Sequence, residues 1–416
     1  MSIYEEIKEC VACGSTNLNP LLDLGVQPLA NSFLRSKDQT ESVYPLATKY
    51  CGECHHVQLT HKVHPDLLFK DYLYVSGTSK TMQEYFDWFA SFVVDNRYNK
   101  DRLFNILDIG CNDGSQLDAF KRLEEKNYGD IRILTRGVDP AENLYPVSSQ
   151  KHDIHCGYFD DDCAHKLRYS FDAVICQNAF AHNYDQLQFL MNMKKVINHD
   201  GYIYIVTSQA DMIMNSQFDT IYHEHISFYN VKSMNALCRR AGLNLIEVLK
   251  HPIHGNSYIF VIAANRSRIS YVDLCIEEET LLGLYNDATY AHYVEDCKEI
   301  IEAFAQEVIR LKSEGKVLIG YGAPAKGNTL LNASFVTLDF IIDDNPLKQN
   351  MFTPGMRIPV YSSEKLKEYA EADNLVFVPL AWNFFEEIKT KIETMRPHKR
   401  DAFLRYFPYV YTEQTQ

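Results

Sequence analysis

Four residues whose side chains are suited to proton transfer stand side by side at Tyr222, His223, Glu224 and His225. Tyr222 and His225 are three positions apart and share a face if this turn is helical. A neutral imidazole can abstract a proton near neutral pH, and a tyrosine hydroxyl can hydrogen-bond a developing oxyanion. Glu224 is a candidate to orient an imidazole. The spacing is not His-Glu-x-x-His, which excludes a zinc hydrolase. The cluster therefore favours acid–base catalysis over a set of surface or core histidines.

A glycine-bearing turn at Asp108-Ile-Gly-Cys-Asn-Asp-Gly114 indicates a ligand site, because glycine lets the backbone pass close under a bound molecule. The next predicted strand, at 131–139, ends in Asp139, where an acid can accept from ribose hydroxyls. An NAD site usually has the full Gly-x-Gly-x-x-Gly, whereas Asp-x-Gly-x-x-x-Gly is the form seen with S-adenosylmethionine. The alternative is an α/β turn without a ligand. The candidate donor-site residues are Gly110, Asn112, Asp113, Gly114, Asp139, Gln177 and Ser79, the last within a run of small residues.

Cysteine spacing predicts a metal site near the N-terminus. Cys10 and Cys13 form one Cys-x-x-Cys knuckle, and Cys51 and Cys54 form a second. Four thiolates in two knuckles can surround one tetrahedral Zn²⁺, with no position left for chemistry. A single knuckle would also be compatible with a redox pair or coincidence, but the doubled set favours structural zinc. The neighbouring residues at 55 and 56, both histidine, are more plausible beside the metal site or on the surface than as ligands.

Alternating strand and helix patterns position these residues. Strands are predicted at 105–108, 131–139, 171–176 and 201–207, followed by two final strands at 245–249 and 258–263. Catalytic side chains should converge at the carboxyl ends of the parallel strands. His182 follows the strand at 171–176, and the 222–225 cluster follows the strand at 201–207. Asn230 is predicted to cap a helix that ends at Gly242.

The third part of the chain begins with a long predicted helical stretch at 271–313 and continues as a second strand–turn–helix unit. Gly320-x-Gly322-x-x-Ala325, followed by Asp343, also matches the dinucleotide pattern, so NAD binding is one alternative. A second is a purely structural lobe. The third, favoured by Lys326 at a helix opening, is a site for the phosphates of a substrate nucleotide. Its candidate residues are Tyr321, Gly322, Ala323, Lys326 and Asn328.

Length and composition agree with a multidomain globular protein. The chain has 416 residues, 46% apolar and 23% charged, with a net charge of -14. This acidic balance argues against nucleic acid as the main partner, because phosphate backbones need a basic surface. No leader-like segment occupies the first thirty positions and no apolar run approaches bilayer length, so a cytoplasmic protein without a membrane partner is expected. The odd count of 11 cysteines fits a reducing compartment.

Six strings give the chain a resemblance, nearly from end to end, to the sugar C-methyltransferases that act on nucleotide-linked keto-deoxysugars. They are the two cysteine knuckles, Asp108–Gly114, Ala181-His182, Tyr222-His-Glu-His-Ile-Ser-Phe-Tyr229 and Gly320-Tyr-Gly-Ala-Pro-Ala-Lys-Gly-Asn-Thr-Leu-Leu-Asn332. The resemblance implies three domains: a zinc module at 1–70, a class I S-adenosylmethionine methyltransferase domain with a Rossmann-like fold at 71–265, and a Rossmann-like domain binding the sugar nucleotide at 266–416. It also implies a monomer.

The same resemblance implies the chemistry. A base removes the proton beside the ketone of a nucleotide-diphosphate 4-keto-6-deoxy sugar, at C3, and the enolate takes the methyl group of S-adenosylmethionine. His225 matches the base and Tyr222 the enolate donor, with His182 and Tyr74 beside the sugar. One segment departs from the family: residues 254–260 read His-Gly-Asn-Ser-Tyr-Ile-Phe where two glycines and a Ser-Leu-Arg type run are usual. A phosphate contact from that arginine is therefore missing or has moved.

Other readings remain open at this point. A small-molecule O- or N-methyltransferase needs the same cofactor but no base for a carbon acid. A non-catalytic scaffold would keep the zinc and the fold without turnover. A zinc-ribbon RNA methyltransferase is opposed by the acidic charge balance.

Overall fold

The computed structural model describes residues 4–70, 72–73, 75–95, 103–126, 132–167, 171–208, 211–266, 270–397 and 399–414. Three sheets of four, seven and six strands follow one another along the chain, and a two-stranded ribbon lies beside the first. Among the described residues, none of the helices combines the length and the apolar character needed to span a bilayer.

The N-terminal part is built from short antiparallel strands. Its elements are β1 (Tyr4–Glu6), β2 (Leu18–Pro28), β3 (Val43–Cys51), β4 (Val57–Leu59), β5 (His61–Val63) and α1 (Asp66–Phe69). β2, β3 and β4 form a sheet whose fourth strand comes from residues 227–228, far along the chain. The N-terminal part is therefore joined to the central part by a shared sheet.

The central part is a doubly wound sheet with helices on both faces. Its elements are α2 (Lys80–Asp95), β6 (Phe104–Ile109), α3 (Ser115–Lys126), β7 (Ile133–Asp139), α4 (Tyr145–Ser148), β8 (Asp153–Cys156), α5 (Asp161–Leu167), β9 (Phe171–Gln177), α6 (Gln186–Val196), β10 (Ile197–Thr207), β11 (Ser227–Phe228), α7 (Val231–Arg240), β12 (Asn244–His251) and β13 (Ser257–Ala263). Short 3-10 turns lie at Ser76–Thr78, Phe180–His182 and Phe218–Thr220.

The strand order of the seven-stranded sheet is β12-β13-β10-β9-β6-β7-β8. β6 pairs in parallel with both β7 and β9, so successive connections leave it in opposite directions. Such a reversal opens a crevice at the carboxyl ends of the strands, which is where ligands bind in sheets of this kind. The predicted helix capped by Asn230 is confirmed: Asn230 and Ser233 form a reciprocal capping box and Gly242 has a φ of +64° after the helix ends.

The C-terminal part is a second, mainly parallel sheet. Its elements are α8 (Ser270–Leu281), α9 (Asp287–Ser313), β14 (Val317–Tyr321), α10 (Ala325–Ser334), β15 (Phe340–Ile342), β16 (Val360–Tyr361), β17 (Leu375–Pro379), α11 (Phe385–Met395), β18 (Ala402–Arg405) and β19 (Tyr411–Gln414), with 3-10 turns at Ser363–Tyr369 and Trp382–Phe384. The sheet order is β16-β15-β14-β17-β18-β19.

The single helical stretch predicted at 271–313 is wrong, because the structure has two helices there. Gly283 adopts a φ of +80°, which ends α8 at little steric cost. Three residues later the Asn286 side chain accepts from the amide of Ala288 and starts α9. The glycine that ends one helix and the asparagine that caps the next therefore outweigh the helical periodicity, which continues across the break.

Candidate active site

The four predicted metal ligands lie together in the N-terminal part. The Sγ atoms of Cys10, Cys13, Cys51 and Cys54 all lie within 4.8 Å of one another. The first knuckle is closed by the Gly14 amide, which donates to the Cys10 carbonyl at 2.7 Å. Four thiolates in this arrangement fit a tetrahedral Zn²⁺ and leave no coordination position for a substrate.

A cavity of about 490 Å³ lies at the carboxyl ends of the central strands. All three parts of the chain line it. Asn31 comes from the N-terminal part, residues 108–113 and the loop after β9 come from the central sheet, and residues 324–326 and 383–384 come from the C-terminal sheet. The cavity is therefore complete only when the three parts are assembled.

Charged groups of opposite sign line separate regions of this cavity. Asp108, Asp113 and Asp139 are clustered, and burial together with repulsion from the other two raises the pKa of Asp108 to about 8. Lys326 lies elsewhere on the wall, where its Nζ donates to the His254 carbonyl at 3.4 Å, and burial lowers the pKa of His254 to about 3, so that this imidazole is neutral. A cationic ligand is favoured near the carboxylates and an anionic one near the lysine.

The predicted donor turn lies on the acidic side. The Asn112 amide donates to the Asp139 carboxylate at 2.8 Å, which ties the glycine turn to the end of β7. Gly110 has a φ of +79°, and a Cβ there would lie 2.5 Å from the Cβ of Ala179. Gly77 donates its amide to Asp113 at 3.0 Å, so the 3-10 turn at 76–78 folds over the glycine turn. Backbone and acid are thus arranged for close contact with an adenosine.

Five of the seven predicted donor-site residues line the cavity, namely Gly110, Asn112, Asp113, Asp139 and Gln177. The other two do not. Gly114 lies against Ser148 and His152, and the Ser79 hydroxyl accepts from the Met82 amide at the start of α2.

Two further groups were missed although a signal was present. Asp108 lies on the cavity wall and is the first residue of the motif itself, and Tyr158 follows β8 at the same edge of the sheet.

The Gln177 Oε1 and Asn178 Oδ1 atoms are buried and have no hydrogen-bond partner among the described residues. Two free acceptors beside a cluster of carboxylates fit a cationic ligand that carries N–H and O–H donors, as S-adenosylmethionine does.

A phenol–imidazole pair, Tyr222 and His225, also lines this cavity. The ring of His225 is held at Nδ1, which lies 2.8 Å from the Thr220 carbonyl oxygen. Because a carbonyl only accepts, Nδ1 carries the proton and Nε2 presents its lone pair. The Tyr222 hydroxyl donates to that Nε2 at 2.6 Å. The ring of His182 lies 5.1 Å from the His225 ring, and its Nε2 is buried without a partner among the described residues.

Burial keeps both histidines neutral. It lowers the pKa of His182 to about 4. It lowers the pKa of His225 well below the usual range, and repulsion by His182 and Lys326 adds to the effect. The neutral form is the one that can accept a proton, so His225 is in the protonation state that a base requires.

Glu224 does not have the predicted role of orienting an imidazole. Its Oε1 accepts from the Asn31 amide at 2.6 Å and its Oε2 from the Tyr72 hydroxyl at 2.9 Å. Burial raises the pKa of Glu224 to about 7, against the opposing effect of these two donors. The carboxylate is therefore used to link the N-terminal part to the segment that precedes α2. The spacing of His223-Glu224-His225 gave no indication of a partner so far away in the sequence.

Neither His223 nor Tyr74 is among the described residues that line the cavity. His223 points away from the cavity, with its Nε2 3.3 Å from the Tyr44 carbonyl oxygen. Tyr74 lies outside the described residues.

Of the five substrate-site candidates, only Lys326 lines the cavity. The Tyr321 hydroxyl bonds to Asp344, and the Ala323 amide donates to Asp343 at 2.6 Å. Gly322 allows the turn, with a φ of +78°. The Asn328 amide is buried against the Ala30 carbonyl at 2.7 Å, where it packs α10 onto the N-terminal part. The cavity reaches residues 324–326 but not the glycine turn or Asp343.

Lys326 is half-buried against an aromatic ring and close to a carboxylate. Its Nζ lies 5.2 Å from the centre of the Trp382 ring, whose Nε1 donates to Asp219 at 2.7 Å. Burial lowers the pKa of Lys326, and the nearby Asp219 partly opposes this. Lys348, a second cavity-lining lysine that the sequence did not single out, donates to the Ala323 carbonyl.

Family models match three consecutive stretches of the chain. Residues 10–69 match a zinc binding domain, residues 78–248 a methyltransferase domain, and residues 252–408 a C-methyltransferase C-terminal domain. The chain is also 29% identical over 401 residues to the C-methyltransferase NovU of Streptomyces niveus, and the aligned region covers 93% of this chain and 92% of NovU.

Two solved structures each resemble part of the chain. The CMeT domain of the citrinin polyketide synthase is 12% identical with a TM-score of 0.37, covering 45% of this chain and 53% of that one. Magnesium protoporphyrin IX methyltransferase from Synechocystis PCC 6803, solved with bound SAH, is 13% identical with a TM-score of 0.34, covering 43% and 82%.

The family models and the NovU likeness establish an enzyme. The chain is an S-adenosylmethionine-dependent C-methyltransferase. The predicted fold class is confirmed, with a Rossmann-like methyltransferase domain flanked by a zinc module and a C-terminal Rossmann-like domain. The predicted cofactors, S-adenosylmethionine and one structural Zn²⁺, are confirmed as well.

Proposed function

We propose that this S-adenosylmethionine-dependent C-methyltransferase methylates C3 of a nucleotide-diphosphate-linked 4-keto-6-deoxy sugar. The observation that carries the proposal is a neutral imidazole–phenol pair that lines the same cavity as the carboxylates of the glycine turn and Lys326. The resemblance of the whole chain to sugar C-methyltransferases supplies the substrate class.

A carbon next to a ketone needs two groups for deprotonation, a base for the proton and a donor for the enolate oxygen. His225 supplies the first, because its Nδ1–H donates to the Thr220 carbonyl and leaves Nε2 as the proton-accepting atom. Tyr222 supplies the second. Its hydroxyl covers Nε2, and a ketone oxygen that draws this hydroxyl away exposes the lone pair at the same moment.

The proposed reaction has two steps, deprotonation of C3 and transfer of a methyl group to it. The C3–H bond breaks, the proton passes to Nε2 of His225, and the electron pair moves onto the enolate, whose oxygen Tyr222 holds. S-adenosylmethionine, when bound, supplies a methyl carbon with sulfur as the leaving group. The protein's part is to keep the enolate carbon and the donor in line and to exclude water, since a hydrated enolate would be reprotonated instead.

The basic region explains how an anionic substrate would be held. Lys326 and Lys348 line the cavity. His254 lines it too, and it belongs to the segment 254–260, which differs from the family pattern and lacks the usual arginine. A diphosphate near Lys326 would offset the positive charge that disfavours protonation of His225. Binding of the substrate would thereby raise the pKa of its own base.

The direct test is incubation with labelled S-adenosylmethionine and a panel of thymidine-, guanosine- and cytidine-linked 4-keto-6-deoxy sugars, with mass spectrometry and NMR to locate the new carbon. We expect a C–CH₃ group at C3, and exchange of the C3 hydrogen in deuterated water. A product methylated on oxygen or nitrogen, with no C3 exchange, would establish the small-molecule O- or N-methyltransferase instead.

The role of His225 is tested by His225→Asn, which keeps a donor towards Thr220 and removes Nε2. We expect kcat and the rate of C3 exchange to fall by about 10²–10⁴-fold, while the affinity for S-adenosylmethionine changes less than about twofold. His292→Gln is the matched control, because that side chain is exposed on α9 and does not line the cavity. Equal exchange rates in His225→Asn and the control would exclude His225 as the base.

A further inference from the structure

The segment that carries the proposed base is part of the sheet of the metal module. We call residues 222–230 the catalytic segment and residues 10–69 the metal module. β11 of the catalytic segment pairs antiparallel with β4 of the metal module, so that Ser227 lies opposite Gln58 and Phe228 opposite Val57. One step earlier, the Leu59 amide donates to the Ile226 carbonyl at 2.9 Å. These contacts begin at the residue directly after His225.

His56 extends this link through its side chain. Its Nε2 shares a hydrogen bond of 3.0 Å with the Ser227 hydroxyl, and its ring lies 4.6 Å from that of Tyr229. Gln186 completes the cluster by donating to Ser227 at 2.7 Å and accepting from the Tyr229 hydroxyl. All four side chains are buried, so each contact fixes a position that water cannot take over.

The cysteine knuckle determines where His56 lies. The Cys51 amide donates to the His56 carbonyl at 2.9 Å, and His56 is only two residues beyond Cys54. β4 starts at the next residue. A shift of the knuckle would therefore move β4, and with it β11 of the catalytic segment, which pairs with β4.

Other parts of the metal module hold the residues on either side of His225. His223 contacts the Tyr44 carbonyl, Glu224 accepts from Asn31, and the Asn230 side chain donates to the His55 carbonyl at 2.7 Å. The His225 ring, in contrast, forms hydrogen bonds with Thr220 and Tyr222 of the same loop. The module thus fixes the path of the chain around the base and leaves its ring turned towards the cavity.

We propose that the metal module is the template for the catalytic segment and that His56 is a positioning residue, which transmits the geometry of the knuckle to His225 through Ser227. This inference rests on the proposed function only in naming His225 as the group that is positioned. It assigns the zinc site a part in turnover beyond the stability of its own module.

The test compares zinc-loaded His56→Leu, which removes the hydrogen bond, with His56→Gln, whose amide can reach Ser227. We expect His56→Leu to lower kcat about 10- to 100-fold, the scale on which a small displacement of a reacting group acts. We expect hydrogen–deuterium exchange of peptides covering 222–230 to become at least about tenfold faster. The zinc content and the affinity for S-adenosylmethionine should stay unchanged, since His56 does not line the cavity. His56→Gln should recover most of the rate and of the protection.

His55→Asn is the matched control, because His55 is equally close to the knuckle but its ring stacks on Tyr290. It should leave exchange in 222–230 unchanged. Should His56→Leu fail to fold, Ser227→Ala breaks the same bond from the other side and must give the same loss. A zinc-loaded His56→Leu with wild-type exchange in 222–230 and wild-type kcat would overturn the proposal. The exchange measurement does not depend on which residue is the base, so it separates this proposal from a failure of the proposed function.

Discussion

Replacing Glu224 by glutamine should change how the stability of the protein depends on pH. Burial raises the pKa of this carboxyl from 4.5 to about 7 in the folded protein. In the unfolded chain the pKa returns to its ordinary value, so between these two pH values the native state binds more protons than the unfolded state. The stabilising contribution is complete below the unfolded pKa and is lost as the pH rises through the folded one.

The size follows from the same two values. The interval from 4.5 to about 7 corresponds to about 3 kcal/mol, at ~1.4 kcal/mol for each tenfold change. Between about pH 5.5 and about pH 8.5, roughly 2 kcal/mol of this is lost by the wild type. A glutamine cannot ionise, so the free energy of unfolding of Glu224→Gln relative to wild type should rise by about 2 kcal/mol over that interval.

Urea denaturation of both proteins at the two pH values measures this difference directly. Other buried acids, such as Asp108 and Asp219, also titrate, but they are common to both proteins and cancel. Glu302→Gln, at an exposed position on α9, is the control and should show no such rise. A difference that stays constant, or that falls with pH, would mean that the Asn31 and Tyr72 donors outweigh burial and that Glu224 is ionised throughout.

Three further outcomes are expected. Tyr222→Phe should lower kcat by about 10²–10³-fold through loss of the enolate donor, with S-adenosylmethionine affinity unchanged by calorimetry; an unchanged kcat would contradict its role. Lys326→Met should raise the KM for the nucleotide sugar at least about tenfold, as expected for a buried charged contact, while a neutral sugar analogue is unaffected; equal effects on both would contradict the phosphate assignment. Metal analysis should find one zinc per chain, and removing it with a chelator should lower the melting temperature, because ligand binding contributes to folding; an unchanged melting temperature would exclude a structural metal.

The parts that were predictable from the sequence are those in which neighbours along the chain make the site. The knuckle cysteines are three apart, and the donor turn is seven residues long, so their spacing nearly determines their geometry. The cap formed by Asn230 and Ser233 is equally local. In each case the chemistry requires a particular residue at a fixed offset, and the sequence shows both.

The parts that were missed are made by residues brought together only by the packing of the three domains. Asn31 and Glu224 are 193 residues apart, and His254 and Lys326 are 72 apart. The residue pattern within one segment does not predict which distant segment it will contact. The four substrate-site candidates that do not line the cavity illustrate the same limit, because the motif predicts a turn but not which side of that turn faces a ligand. His56 was placed beside the metal or on the surface, and only the pairing of β11 with β4 shows what its ring contacts.

The charges of the cavity bear on why the proposed substrate should be linked to a nucleotide at all. His225 is neutral but a poor proton acceptor, because burial and the nearby Lys326 both oppose its cationic form. A diphosphate bound at Lys326 removes one of these two obstacles, and the enolate, held by Tyr222 beside the ring, removes part of the other by placing a negative charge next to the new positive one. The first change does not occur with a neutral free sugar, which carries no phosphate. On the proposed function, the diphosphate is therefore more than an anchor, since its charge makes a buried imidazole basic enough to deprotonate carbon.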